Sequence, residues 1–95
     1  MNNFAPKALK ALCQHDLGQA IEALHNFASA ASLPTDAFGL KSLSEDYEMM
    51  VNYMAGGYDD QAREKLYTHF LSRAAQCYCQ MVYAGQRDDA SNAFA

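Results

Sequence analysis

Residues 59–85 read DDQAREKLYTHFLSRAAQCYCQMVYAG, and no proline or glycine interrupts them before Gly85. Apolar residues recur in this segment at steps of three and four, which is the period of an α-helix. Asp59 and Asp60 stand at its head, where acidic side chains interact favourably with the positive end of the helix dipole. The sequence therefore predicts a helix of about 25 residues, or about 38 Å at 1.5 Å per residue.

This predicted helix carries two apolar stripes, whereas a helix that packs on one core needs a single stripe. The first stripe consists of Leu66, Phe70, Ala74, Cys77 and Met81. The second lies about 100° further round the helix and consists of Tyr67, Leu71, Ala75, Tyr78 and Val82. Two interpretations follow. Either this helix is central and its neighbours cover both stripes, or one stripe contacts another molecule or a following domain.

Start and stop signals divide the rest of the chain into three shorter helices. Asp16 with Gln19, and Ser42 with Glu45, have the spacing of capping boxes that begin helices. Leu33-Pro34 is expected to end one helix and Gly56-Gly57 another. We therefore expect helices at about 4–14, 17–32 and 43–55, and an all-α fold of four antiparallel helices built from two hairpins.

The pattern also predicts which residues of these elements are buried. We expect Leu9 and Ala31 to face the core, and Phe38 and Leu40 to fold back on it from the loop at 34–41. Cys13 and Cys77 are expected to be small core residues, since free cysteine is usually buried. Residues 1–85 would form a single helical domain. Residues 86–95 are a polar tail, either disordered or the start of another helix.

Composition and charge exclude several classes of protein. Seventeen of the 95 residues are alanine and 51% are hydrophobic, which favours a folded helical domain over disorder. The formal charge is −4, and no basic patch is present to displace the counterions of a nucleic acid or to bind an anionic membrane. We expect neither a nucleic-acid nor a membrane partner.

The cysteine count and the distribution of apolar residues predict where in the cell the protein resides. No apolar run approaches the ~20 residues that span a bilayer, and no continuous apolar segment follows Lys7 and Lys10 as a signal peptide would require. Three cysteines cannot all pair within one chain, which favours reduced thiols and a cytoplasmic location. The length of the last predicted helix leaves open whether the chain is part of a longer protein.

The sequence contains few candidates for catalytic or metal-binding residues. Cys77 and Cys79 are two residues apart on a helix and point about 200° from each other, so they cannot share a metal ion. The sequence places no thiol at a helix start beside a base, and most carboxylates occupy positions where they cap helices or face solvent. We therefore expect no enzyme, no catalytic residue, no metal and no cofactor.

A short pattern recurs along the chain. Gln19-Ala20-x-Glu22-x-Leu24 reappears as Gln61-Ala62-x-Glu64-x-Leu66, and each copy opens the second helix of a predicted pair. The segments 16–22 and 57–62 resemble the turns of tetratricopeptide-type helical hairpins. That resemblance implies a helical interaction module and brings no catalytic residue with it.

These observations favour a non-catalytic interaction or oligomerisation module that uses the fourth helix as its contact surface. The simplest partner is a second copy, because symmetric dimers dominate soluble oligomers. The predicted contact residues are Tyr53, Leu71, Tyr78, Met81, Val82 and Tyr83. The alternative is a small ligand-binding protein or enzyme with a pocket between the two hairpins.

Overall fold

The computed structural model describes the backbone of residues 4–57 and 59–93, and the side chains of 4–57 and 59–84. It contains α1 (Phe4–Cys13), α2 (Leu17–Ala30), a 3₁₀ turn (Ala37–Gly39), α3 (Leu40–Met54) and α4 (Asp60–Ala93). Within those residues there is no β-strand. The predicted all-α architecture of two antiparallel hairpins with a long last helix is confirmed.

The first hairpin packs through small residues. Ala5, Ala8 and Ala11 of α1 are buried, as are Ala20 and Ala23 of α2. Small side chains let two helix axes approach closely along their contact line. The predicted positions of Leu9 and Cys13 are wrong: Leu9 is 47% exposed and Cys13 is exposed. The alanines occupy the buried side of α1, and these two larger side chains lie beside it.

The turn between α1 and α2 follows the sequence prediction. His15 adopts a left-handed conformation with φ 57°, and the N–H of Asp16 donates to the carbonyl of Ala11 at 2.8 Å. The Asp16 carboxylate then accepts a hydrogen bond from the Gln19 N–H at 3.2 Å. Asp16 therefore caps α2 as its spacing from Gln19 predicted.

The exit from α2 does not depend on proline. Ser32 takes a left-handed conformation with φ 57°, and the Leu33 N–H donates to the Ala28 carbonyl at 2.8 Å. This pattern closes the helix at Ala30, before the influence of Pro34 is reached. Ala31, predicted to be buried, is therefore exposed.

The start of α3 differs from the prediction. The helix begins at Leu40 after left-handed Phe38 (φ 54°) and Gly39 (φ 78°), so Ser42 lies inside the helix and does not cap it. Leu40 is fully buried as expected, but Phe38 is largely exposed. Two successive left-handed residues turn the chain so that Leu40 enters the core while Phe38 points outward.

The second hairpin closes as expected and continues further. Gly57 has φ 103°, a conformation that favours glycine, and Asp59 Oδ1 accepts a hydrogen bond from the Ala62 N–H at 2.8 Å. The backbone of α4 does not end at Gly85 but continues to Ala93. Its 34 residues span about 51 Å at 1.5 Å per residue, close to the 55 Å longest dimension of the molecule.

α4 packs against all three of the other helices, α1, α2 and α3. The interpretation of α4 as the central helix is therefore correct for one of its stripes. Phe70, Ala74, Cys77 and Met81 join α2 and α3 residues such as Leu24, Leu40 and Leu43 in one hydrophobic cluster.

Candidate interaction surface

α4 presents two apolar faces with different degrees of burial. We call the first the inner face; it consists of Phe70, Ala74, Cys77 and Met81, all buried. We call the second the outer face; it consists of Tyr67, Leu71, Ala75, Tyr78 and Val82, all only partly buried. The three other helices therefore bury the first stripe except for Leu66, which is partly buried, and they bury the second stripe only in part.

Aromatic contacts and one ion pair fix the inner face against α3. The Phe70 and Tyr47 rings meet edge-on, with 6.5 Å between their centroids. The Arg73 guanidinium lies over the Phe70 ring, 5.2 Å from the ring centroid. Arg73 also pairs with Asp46 at 3.0 Å. Both partners of that ion pair are partly exposed, so it contributes less than about 1 kcal/mol. Apolar packing, not charge, therefore holds α3 on α4.

Two sulfur-containing side chains, Cys77 and Met81, lie in contact at the end of the inner face. The Cys77 thiol lies 3.6 Å from the Met81 thioether sulfur, in hydrogen-bonding geometry. Burial raises the pKa of Cys77 from 9.0 to about 11, because the thiolate is poorly solvated there. The predicted core role of Cys77 is thus confirmed, and this thiol stays protonated at neutral pH.

Tyr67 anchors the start of the outer face to the first hairpin. Its hydroxyl donates to the carbonyl of His15 and accepts a hydrogen bond from the Leu17 N–H at 3.0 Å. These two bonds span fifty residues of sequence and connect α4 to the α1–α2 turn. Burial raises the pKa of nearby Tyr47, and the negative charges that Tyr67 and Asp16 can carry raise it further.

A groove lies beside Tyr67, between the two hairpins. Its volume is about 580 Å³, within the range typical of small-molecule sites. The first hairpin contributes His15, and the second contributes the rest of the lining: Met54, Arg63, Glu64, Tyr67, Thr68 and Leu71. Arg63 donates a hydrogen bond to the Met54 carbonyl at 3.2 Å, which ties the end of α3 to α4 at this point. Two of the lining residues, Tyr67 and Leu71, belong to the outer face, so the groove continues that face.

The six predicted contact residues do not form one surface. Leu71, Tyr78 and Val82 lie together on the outer face. Tyr53 is 62% exposed on α3, and Tyr83 is 67% exposed on α4 about 100° round from Val82. These two side chains are free for contacts elsewhere but do not continue the outer face.

The prediction that Met81 is a contact residue is wrong. Its side chain is fully buried, in the same cluster as Cys77 and Leu40. The shorter helices reach far enough along α4 to cover both Cys77 and Met81. Tyr78 and Val82 retain exposed surface because they sit on the other stripe.

From the sequence alone, a pocket between the two hairpins is predicted only as an alternative, and no lining residue is named for it. The groove joins residues from a turn and two helices, and no local pattern signals that juxtaposition.

Other chemistry is limited in the part of the chain that the structure describes. Cys13 and Cys79 are exposed, on different helices. No group of three or more His, Cys, Asp or Glu side chains is placed to hold a metal ion, as far as the described residues go. Among the same residues, no helix has the length and apolarity to cross a bilayer.

Comparison of the chain with protein-family models, curated proteins and solved structures finds no match.

Proposed function

We propose that this protein is a non-catalytic helical module that self-associates through the outer face of α4. The observation that carries the proposal is that the five apolar residues of one stripe, Tyr67, Leu71, Ala75, Tyr78 and Val82, all keep part of their surface exposed, although four of them also pack against the core. A continuous apolar surface of this kind is typical of an association site. Tyrosine suits such a role because its ring is apolar and its hydroxyl tolerates water.

Helix length supports a partner at this face. α4 has 34 residues, whereas α1, α2 and α3 have 10, 14 and 15. A helical segment of about 12 residues is marginal in water without tertiary contacts. A second molecule that packs along α4 would add tertiary contacts to this long helix.

Charge and sequence resemblance agree with this role. The acidic net charge disfavours nucleic acid and anionic lipid as the partner, and leaves a protein surface. The resemblance of the hairpin turns to tetratricopeptide-type modules also favours protein–protein interaction. Unpaired cysteines favour a reducing, cytoplasmic setting for it.

The test is the mass in solution, measured by light scattering across micromolar concentrations. We expect the protein to approach twice the 10.5 kDa of one chain as concentration rises. Val82→Glu should weaken association more than tenfold, a change of at least ~1.4 kcal/mol, because it buries a carboxylate in an apolar contact. Gln76→Glu is the matched control, since Gln76 is exposed away from the outer face.

Circular dichroism must show that Val82→Glu keeps its helical signal. A protein that stays at 10.5 kDa up to high micromolar concentration would contradict self-association. Equal association of the Val82→Glu and Gln76→Glu variants would contradict the outer face as its site.

The groove supports a second candidate function, a small-ligand site between the hairpins. Its apolar lining residues Tyr67, Leu71 and Met54 and its polar lining residues Arg63 and Thr68 suit a small amphipathic molecule. A thermal-shift screen against common metabolites tests it. A concentration-dependent rise in Tm that Leu71→Trp abolishes, and that Gln76→Glu preserves, would favour this candidate over self-association.

A further inference from the structure

The groove beside Tyr67 brings apolar side chains and an arginine together. Most of its surface is apolar, and its apolar lining residues are Met54, Tyr67 and Leu71. All three pack against the core and keep some free surface. Arg63 lines the same groove and precedes Tyr67 by four residues and Leu71 by eight, so it lies on their side of α4. Leu71 is about 12 Å along the helix from Arg63, which gives the groove a charged part and an apolar part.

One hydrogen bond holds Arg63 at the groove. Its guanidinium donates to the carbonyl of Met54 at 3.2 Å, and Met54 is itself a lining residue. A guanidinium has five N–H donors, so this bond leaves others available. Among the side chains that the structure describes, the guanidinium of Arg73 pairs with Asp46, whereas that of Arg63 forms no ion pair. Within this part of the chain, the positive charge of Arg63 is therefore not neutralised.

The other polar lining residues limit the charge that a ligand can carry. Glu64 and Thr68 line the groove from the adjacent side of α4, and the Glu64 carboxylate would repel a second negative charge. The Thr68 hydroxyl donates or accepts a hydrogen bond without adding charge. His15, from the first hairpin, can donate a hydrogen bond whether or not it is protonated. A ligand with one anionic group and an apolar body matches this lining.

We propose that the groove binds a small amphipathic monocarboxylic acid, with its carboxylate on the Arg63 guanidinium and its apolar body along Tyr67 and Leu71. A planar guanidinium binds a carboxylate through two parallel N–H bonds, which a lysine ammonium cannot do. Medium-chain fatty acids and aromatic acids share this chemistry. The inference rests on the second candidate function, the small-ligand site between the hairpins, and adds the class of ligand and its orientation.

Titration of the full chain with a matched set of probes tests the ligand class. Octanoate, octanol and octylammonium share one apolar chain and carry a negative, a neutral and a positive end, and naphthoate replaces the chain by aromatic rings. Isothermal titration calorimetry below the micelle concentration gives each Kd. We expect octanoate to bind about tenfold more tightly than octanol or octylammonium, because only the carboxylate makes charge-assisted hydrogen bonds with Arg63. Naphthoate distinguishes an aromatic acid from a fatty acid as the preferred ligand.

Variants locate the carboxylate within the groove. Arg63→Gln should weaken binding of the acid about tenfold and change octanol binding less than about twofold. Lys65→Gln is the matched control, because it removes the same charge from an exposed side chain of α4 that does not line the groove. Arg63→Lys should recover only part of the loss. Thr68→Trp fills the groove from an exposed position and should abolish binding of every probe, while circular dichroism shows that each variant keeps its helical signal.

The outcomes separate the ligand class from the site itself. Binding of either acid that Arg63→Gln weakens and Lys65→Gln leaves unchanged supports the proposal. Octanol or octylammonium binding as tightly as octanoate, or equal losses in the two glutamine variants, overturns the carboxylate assignment and leaves a small-ligand site standing if Thr68→Trp abolishes the binding. Absence of binding by every probe at millimolar concentration, or binding that persists in Thr68→Trp, overturns both. The mass in solution tests self-association separately.

Discussion

The inner and outer faces of α4 are both apolar but have different surroundings. Each combines aromatic, aliphatic and small residues at helical spacing, and they lie about 100° apart on one rod. The inner face meets α2 and α3 and is buried, whereas the outer face packs against the core but is only partly buried. Three short helices around a long one supply enough surface to seal one stripe. Apolar pattern alone therefore does not distinguish a core from a contact surface.

The largest expected difference between the faces is in stability. Met81→Ala should lower the free energy of unfolding by about 2–5 kcal/mol, because it leaves a cavity in a fully buried site. Urea denaturation followed by circular dichroism measures it. Tyr83→Ala, two residues away and largely exposed, should change stability by less than about 0.5 kcal/mol. Equal effects of the two substitutions would contradict the burial of the inner face.

The next largest effect concerns the Tyr67 hydroxyl, which links the outer face to the first hairpin. Tyr67→Phe removes the hydroxyl that bonds to the His15 carbonyl and the Leu17 N–H. We expect a loss of about 0.5–1.5 kcal/mol in the free energy of unfolding, because two backbone groups lose their partner. Tyr53→Phe is the control, since the Tyr53 side chain is exposed. If Tyr67→Phe were as neutral as the control, the outer face would not be anchored through this hydroxyl.

The smallest expected effect is a difference in reactivity among the three cysteine thiols. Cys79 and Cys13 are exposed, whereas Cys77 on the inner face is buried. A disulfide reagent at pH 8 should therefore label two thiols quickly and the third only as the protein unfolds. Cys77→Ala should abolish the slow phase alone. Rapid labelling of all three thiols in the folded protein would contradict the sealing of the inner face.

Cys77 also gives the inner face a pH dependence. Folding raises its pKa from 9.0 to about 11, so the unfolded chain releases this proton at lower pH than the folded one. The contribution of Cys77 is fully present below about pH 9 and declines as the pH rises towards 11. Denaturation midpoints of the unmodified protein and of Cys77→Ala, measured across this range, should differ in slope. Parallel pH profiles for the two proteins would contradict the raised pKa of Cys77 in the folded state.

Local signals in the sequence predicted much of the fold. The cap at Asp16, the left-handed Gly57 and the acidic start of α4 all appear where short-range pattern placed them. Such signals succeed because a cap or a turn is decided by neighbouring residues. Ser42 shows the limit: its box with Glu45 has the right spacing, but burial of Leu40 carries the helix start further upstream.

Burial was harder to predict than helix position. Leu9 and Cys13 fit a plausible stripe, yet the alanine side of α1 is the one that packs. Met81 and Val82 are adjacent in sequence and similar in polarity, but Met81 is fully buried whereas Val82 is only partly buried. Only the positions of the other helices distinguish them.

The amino-acid sequence by itself determined that this chain is all-helical, with four helices in two hairpins and a last helix with two apolar stripes. Periodicity and capping are properties of a few neighbouring residues, so they can be read along the chain. Tertiary structure alone decided which stripe became core, and it alone formed the groove from His15, Met54 and Tyr67. The reason is that coverage depends on how far separate helices reach along α4, and that distance is set by their packing rather than by any local pattern.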